Sequence, residues 1–282
     1  MFKVFIDGSA GTTGLRIREM LGKRTDISLI SLPEQLRKDV SARKEAINAS
    51  DVTFLCLPDD AAREAVLLVE NPETVVIDAS TTHRTAAGWA YGFPELSAAH
   101  RAAIAQGKRI ANPGCYASGF IALVYPLVKA GLVSPDYPFV CHAVSGYSGA
   151  GKKGIAEYEA ENRPPLYDTP RLYALSLSHK HLPEMKAVCG LSRTPVFNPY
   201  VCDYYCGITV NVPLFADLLV KKIAAADIRA LLAEHYAESA FLSVGEEESG
   251  YISANTLNET NRMEILVNGN DERILLTARF RT

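Results

Sequence analysis

Across the first part of the chain, short β-branched and apolar runs alternate with stretches of helical period. The runs at residues 3–6, 27–32, 52–57, 74–78 and 109–111 predict strands, and the stretches at 15–21, 37–48, 60–69 and 97–106 predict helices between them. That alternation predicts βαβ units and a parallel sheet. The run at 52–57 is almost wholly apolar, the pattern of a strand covered on both faces. Beyond residue 115 the texture changes. A long apolar helix is predicted over 116–130, closed by Gly131 and carrying Pro126 inside it. Strand-like runs follow at 139–144, 195–197, 205–213, 241–244, 263–267 and 273–280, broken by helical patterns at 152–161 and 224–237. Many strands with few helices predict an α+β domain with a mixed or antiparallel sheet. The expected division is residues 1–114 and 115–282. Its boundary falls at Asn112 to Cys115, where a cleft between domains would place a reacting residue.

Composition narrows the classes without naming one. The 282 residues carry a formal charge of −3, which gives no electrostatic case for nucleic acid or an acidic membrane surface as partner. No apolar stretch reaches the roughly 20 residues of a membrane-spanning helix. Met1-Phe2-Lys3 leads straight into a strand, so no secretory leader is expected. The six cysteines form no regular framework and are expected to be reduced thiols in a cytoplasmic protein.

Candidate chemistry begins at Gly8-Ser9-Ala10-Gly11-Thr12-Thr13-Gly14, on the first strand-to-helix turn. Glycines there let the backbone turn tightly and approach a pyrophosphate lying on the helix N-terminus. The expected domain is therefore Rossmann-like. The second strand ends Ile30-Ser31-Leu32 with Arg37-Lys38 shortly after, and no acidic residue closes it. A hydroxyl and two cations suit the 2′-phosphate of NADP better than the free ribose of NAD.

Cys115 stands behind Asn112-Pro113-Gly114 and ahead of the long apolar helix. A thiol at a helix N-terminus feels the positive end of the dipole, which favours the nucleophilic thiolate, and the unpaired N–H groups can receive an oxyanion. Such a nucleophile needs a base, and Ser178-His179-Lys180-His181-Leu182-Pro183-Glu184 is the densest histidine site. The same histidines with Cys202 and Cys206 match no standard zinc spacing, so no metal is expected. Asp78-Ala79-Ser80-Thr81-Thr82-His83-Arg84 follows the fourth strand at the ligand-binding edge, where Arg84 could fork onto a phosphate or carboxylate. Residues 144–153 read as a flexible polar loop able to close over a substrate. Trp89-Ala90-Tyr91-Gly92-Phe93-Pro94 reads as packing.

Taken together, Gly8 to Gly14, Asp78 to Arg84, Ala111-Asn112-Pro113-Gly114-Cys115-Tyr116, Ala143-Val144-Ser145-Gly146-Tyr147 and His179-Lys180-His181-Leu182-Pro183-Glu184 resemble, in order, the short (type 2) form of N-acetyl-gamma-glutamyl-phosphate reductase. The resemblance covers essentially the whole chain, and the N-P-G-C-Y and H-x-H-x-P-E boxes together are its most specific part. It implies a semialdehyde dehydrogenase-like fold and NADPH-dependent reduction of N-acetyl-glutamyl phosphate in arginine biosynthesis. It implies Cys115 as nucleophile, His181 as acid/base and Glu184 as its support. Arg84, Asn112, Ser145 and Gly146 would meet substrate. The cofactor contacts expected are Gly8, Ser9, Gly11, Thr12, Thr13, Gly14, Ser31, Arg37, Pro58 and Ser80, and the assembly a homodimer or homotetramer. Aspartate-semialdehyde and glyceraldehyde-phosphate dehydrogenases typically follow the cysteine with Thr or Ser, whereas Tyr116 follows it here. A non-catalytic nucleotide-binding paralogue is the alternative from another class. Relatives continue past the last strand with a helix returning to the first domain; the sequence runs to Thr282, where that helix should begin, so either the sequence continues beyond it or the helix is absent.

Overall fold

The computed structural model describes residues 1–281, apart from the side chain of Thr12. The chain forms two compact units, Met1–Gly114 and the part from Cys115 onward.

Among the described residues, the first unit has strands β1 (Phe2–Asp7), β2 (Ile27–Ile30), β3 (Val52–Leu55), β4 (Val75–Asp78), β5 (Ala90–Tyr91) and β6 (Arg109–Ala111). Its helices are α1 (Thr12–Leu21), α2 (Val40–Asn48), α3 (Asp59–Leu67) and α4 (Ala98–Gln106). The sheet order is β2-β1-β3-β4-β6-β5, and every pairing is parallel. Strand order reverses beside β1, so the carboxyl end of β1 is the switch point where such sheets bind ligands. Apolar strand residues hold that edge in place. Phe5 packs with Ala46 and Ile47 of α2, and Leu55 and Val76 pack with Ala65 of α3.

Two features of this unit depart from the sequence pattern. The helix expected from residue 37 begins at Val40, because the Asp39 carboxylate accepts from the Ala42 backbone N–H at 2.8 Å and caps α2 there. Arg37 therefore lies in the connection, after a single 3-10 turn at Glu34–Leu36. The stretch read as packing contributes β5, a two-residue strand added beside β6.

The second unit contains α5 (Cys115–Lys129), β7 (Val140–Gly146), α6 (Gly151–Tyr158), β8 (Arg171–Leu172), α7 (Leu182–Cys189), β9 (Val196–Cys202), β10 (Ile208–Phe215), α8 (Ala225–His235), β11 (Leu242–Val244), β12 (Met263–Gly269) and β13 (Arg273–Phe280). Among the described residues its sheet runs β11-β12-β13-β10-β7-β9-β8. Pairings β11–β12 and β7–β9 are parallel and the rest antiparallel, a mixed sheet. Helix α5 is buried almost all round, with Phe120 through Val124 fully enclosed, and it continues through Pro126. It is the central pillar of this unit.

Residues 144–153 are not a loose loop. Strand β7 continues in register to Gly146 opposite Cys202, then a 3-10 turn (Tyr147–Ala150) runs directly into α6. The Tyr147 and Ser148 backbone N–H groups donate to the carbonyls of Tyr204 and Tyr205, at 2.9 and 2.8 Å. Strand β9 is longer than the 195–197 run because it passes through Pro199, beside β8, which is only two residues long.

Candidate active site

At the end of β1 the chain turns through Gly8 at φ +86°, a conformation that favours glycine, and a Cβ there would lie 2.3 Å from the Cys56 carbonyl oxygen. The Gly11 N–H donates to the Gly8 carbonyl at 3.0 Å, closing the turn, and Gly11 is the N-cap of α1. At Gly14 a Cβ would come within 2.5 Å of the Gly8 carbonyl oxygen, so only glycine lets α1 approach the strand end this closely. No carboxylate occupies the first turn of α1, and its N–H end is electrostatically open to a phosphate.

A cavity of about 590 Å³ adjoins this turn, lined among others by Gly8, Ser9, Ser31, Arg37 and Lys38. Gly11, Thr13, Gly14, Pro58 and Ser80 are not part of its wall. The Thr12 side chain falls outside the described residues. The cavity also presents Arg43, unmarked by any sequence motif, whose Nε and Nη2 donate to Asp7 Oδ2 at 3.0 and 2.9 Å. Burial pushes the Asp7 carboxyl up from its ordinary range, against the pull of Arg43. With Arg43 engaged, Arg18, Arg37 and Lys38 are the lining cations left for a dianionic group. A glycine turn a Cβ would fill, a helix end without acid and a cationic wall together fit a dinucleotide with a 2′-phosphate.

At the end of β4, Asp78 is fully buried and accepts from three donors. The Ser80 backbone N–H donates at 2.9 Å, the Ser80 hydroxyl at 2.6 Å, and His83 Nδ1 lies at 2.6 Å. His83 in turn stacks on Trp89, ring centroids 4.0 Å apart. Arg84 Nε donates to the Asn112 carbonyl at 3.0 Å and Nη2 to that of Ala79 at 3.4 Å, tying together the loops after β4 and β6. Asn112 Nδ2 donates to the Pro113 carbonyl at 3.2 Å.

In the second unit, Cys115 is the first residue of α5, half-buried on a cavity of about 400 Å³. Tyr116, Ser145, Gly146, Tyr173 and His179 share that wall. The Tyr116 phenol is hydrogen-bonded with both Tyr173 and Ser145, and burial pushes it far up. Burial pushes Tyr173 up to about 12. Both phenols therefore stay protonated near neutral pH. His181, N-cap of α7, is 4% exposed; its ring centroid lies 4.6 Å from that of His179 and 5.9 Å from that of Tyr116. The His181 backbone N–H donates to His179 Nδ1 at 3.1 Å, and Glu184 is buried at 1% exposure. His179, and not His181, belongs to the cavity wall. Four other thiols are in the wrong surroundings for a nucleophile. Burial, together with the charges of Asp7 and Asp78, holds Cys56 up at about 12, and burial raises Cys141, Cys189 and Cys202 as well.

Known proteins place the chain in a family. Residues 31–104 match the family model described as "Semialdehyde dehydrogenase, NAD binding domain", and residues 115–280 match "Semialdehyde dehydrogenase, dimerisation domain". The aspartate semialdehyde dehydrogenase from Francisella tularensis superposes with a TM-score of 0.72 over 100% of this chain and 95% of that one, at 14% identity. The enzyme of Candida albicans, solved with NADP, gives 0.69 over 99% and 93%, at 13% identity. These likenesses establish the fold. Identity at the sequence level is with other proteins. The N-acetyl-gamma-glutamyl-phosphate reductase of Chelativorans sp. (strain BNC1) is 46% identical over 279 residues, 96% of this chain and 89% of that protein. The chain belongs to the N-acetyl-gamma-glutamyl-phosphate reductase family. A further member, the "N-acetyl-gamma-glutamyl-phosphate reductase 2" of Pseudomonas putida, is 46% identical over 286 residues, 98% of this chain and 90% of that protein.

For a member of the reductase family, several wall residues carry no sequence signal of their own. Tyr158, Arg171 and Tyr173 reach the Cys115 cavity from α6, β8 and the strand's flank. Their placement depends on Arg171 pairing with Val201 thirty residues on, which no local pattern announces. Arg43 is equally silent. An acid closing an apolar strand, as Asp7 does, was the one available hint that a cation would have to meet it.

Proposed function

We propose that this chain is an NADPH-dependent reductase that converts N-acetyl-glutamyl 5-phosphate to N-acetyl-glutamate 5-semialdehyde and phosphate, a step of arginine biosynthesis. The observation that carries the reading is Cys115 at the first position of α5, in one cavity with Tyr116, Ser145 and His179, in a chain 46% identical to named reductases. The thiolate attacks the acyl carbon, the bond to the phosphate oxygen breaks, and phosphate leaves with the electron pair. The first-turn N–H groups of α5 receive the negative charge that develops on the carbonyl oxygen. A thioester on Cys115 remains. When bound, NADPH supplies the hydride that reduces the thioester carbonyl. Collapse of the resulting hemithioacetal breaks the C–S bond, frees the aldehyde and restores the thiolate.

His181, braced by Glu184, takes the thiol proton and returns one as the reaction needs it. Arg84 is assigned to the substrate phosphate, and Asn112, Ser145 and Gly146 to the substrate. Gly8, Ser9, Gly11, Thr12, Thr13, Gly14, Ser31, Arg37, Pro58 and Ser80 are assigned to NADP(H). Arg37 with Lys38 supports NADP over NAD, because two cations and a hydroxyl suit a dianionic 2′-phosphate. A small-molecule substrate and a homodimer or homotetramer in the cytoplasm complete the reading. The dimerisation-domain match over residues 115–280 supports self-association, and no helix among the described residues is long and apolar enough to cross a membrane.

The test is the reverse reaction. Phosphate-dependent reduction of NADP with N-acetyl-glutamate semialdehyde, and none with aspartate semialdehyde, is the expected result. The opposite preference would reassign the substrate, and silence with both would favour a non-catalytic paralogue.

A further inference from the structure

The cavity that holds Cys115 carries two donors to which the protein offers no acceptor. Arg171, the first residue of β8, and Tyr158, the last of α6, both line it. Among the described residues, neither Arg171 Nη1 nor the Tyr158 hydroxyl has a hydrogen-bond partner, although both atoms are shut off from solvent. Buried polar groups are rarely left unmet, and a cationic donor is the costliest to leave so. Two unmet donors on one wall point to an acceptor that arrives from outside.

Two aromatic rings flank the guanidinium. Its central carbon lies 4.0 Å from the Tyr167 ring centroid and 5.4 Å from that of Tyr158. Tyr158 stands edge-on to Tyr167, centroids 4.9 Å apart, and stacks on Tyr147 at 4.9 Å. With Tyr167 against it, the arginine keeps Nη1 unmet, and a guanidinium offers the N–H fork that matches a planar two-oxygen acid. Backbone contacts fix both residues. Arg171 pairs with Val201 in the sheet, and Arg163 Nη1 donates to the Tyr158 carbonyl at 2.8 Å. The lining carboxylate, Glu157, accepts instead from the Tyr167 hydroxyl at 3.3 Å.

We propose that Arg171, together with the Tyr158 hydroxyl, binds the free α-carboxylate of the substrate and thereby selects for it. The inference rests on the reductase reading above. In that substrate the phosphate is attached to the carbon Cys115 attacks, whereas the carboxylate stands at the other end of the carbon chain. A second anion-binding element on the same cavity is what such a molecule requires.

The experiment runs the reaction in reverse with inorganic phosphate and NADP, comparing N-acetyl-glutamate semialdehyde with 4-acetamidobutanal, the same aldehyde without the carboxylate. Wild-type turnover of the first tests the reductase reading independently; its absence would overturn that reading and this assignment with it. With wild type active, Arg171→Met is expected to lower kcat/KM for the carboxylated aldehyde about 10²-fold, mainly through KM. It should leave 4-acetamidobutanal and the KM for phosphate unchanged. Arg171→Lys, which keeps the charge but not the fork, should recover part of the loss. Tyr158→Phe keeps the ring and removes only the hydroxyl, and should cost about tenfold on the carboxylated aldehyde alone. If Arg171→Met does not fold, the lysine and phenylalanine variants decide by the same comparison. Equal losses on both aldehydes, a rise confined to the KM for phosphate, or no loss at all would overturn the assignment.

Discussion

The hydroxyl of Tyr236 donates to the carbonyl of Ala122 across 2.8 Å, supplying the hydrogen bond that Pro126, four residues on in α5, has no N–H to give. Both residues are buried, so the acceptor has no access to water without Tyr236. The Tyr236→Phe variant is expected to lose about 1–3 kcal/mol of stability. Its urea midpoint should fall while kcat stays at the wild-type value, and an unchanged midpoint would refute the account.

Cys115→Ser should abolish turnover and leave NADP binding intact, because the thiol acts in bond-making and the dinucleotide cavity belongs to the other unit's own residues. Steady-state rates and cofactor titration, run on one preparation, check both halves. Substantial activity in the serine variant would remove Cys115 from the mechanism.

His181→Asn is expected to slow turnover roughly 10²- to 10⁴-fold if that imidazole moves the proton. The structure makes the comparison with His179 necessary, since His179 lines the cavity and the two rings lie 4.6 Å apart. A larger loss in His179→Asn would transfer the acid/base role to it.

Gly8→Ala forces a Cβ to within 2.3 Å of the Cys56 carbonyl oxygen at a φ of +86°. Strain of this kind costs about 1–3 kcal/mol, so the first strand-to-helix turn must shift. NADP affinity should fall about tenfold or more, measured by isothermal titration, with acyl-enzyme formation at Cys115 less affected.

Asp203 has its carboxyl held below the ordinary value of 3.8, chiefly by hydrogen bonds from Arg163. A depressed folded value means the unfolded chain binds the proton more readily. The stabilisation is therefore complete above 3.8 and disappears as pH falls through the folded value. Wild type should accordingly lose stability more steeply than Asp203→Asn as the pH is lowered below about 4. Parallel denaturation curves across that range would show that the pair contributes nothing.

How far the chain could be read in advance depended on how local each signal was. The Gly8 turn, the βαβ alternation and the Pro-Gly bend ahead of Cys115 are written in adjacent residues, and the parallel and mixed sheets follow from them. The start of α2 was misplaced because Arg37 and Lys38 extend a helical pattern that the Asp39 carboxylate cuts short. Strand β9 outruns the apolar stretch at 195–197 because it passes through Pro199, a residue that ordinarily ends strands, and the Pro199 carbonyl still accepts from the Tyr173 N–H at 3.1 Å. The cavity's Tyr158, Arg171 and Tyr173 are brought to Cys115 by pairing between distant strands. Nothing in their own neighbourhoods marks them, and the H-x-H box does not by itself distinguish its two histidines.

The enclosure of α5 has a consequence for rate as well as for folding. A helix packed on nearly every side fluctuates little, and its interior amides should be among the slowest in the unit to exchange with deuterium. Cys115 is the first residue of that helix. The orientational freedom that would oppose its attack on an acyl carbon is thus removed once, when the chain folds, and does not have to be removed again at each turnover.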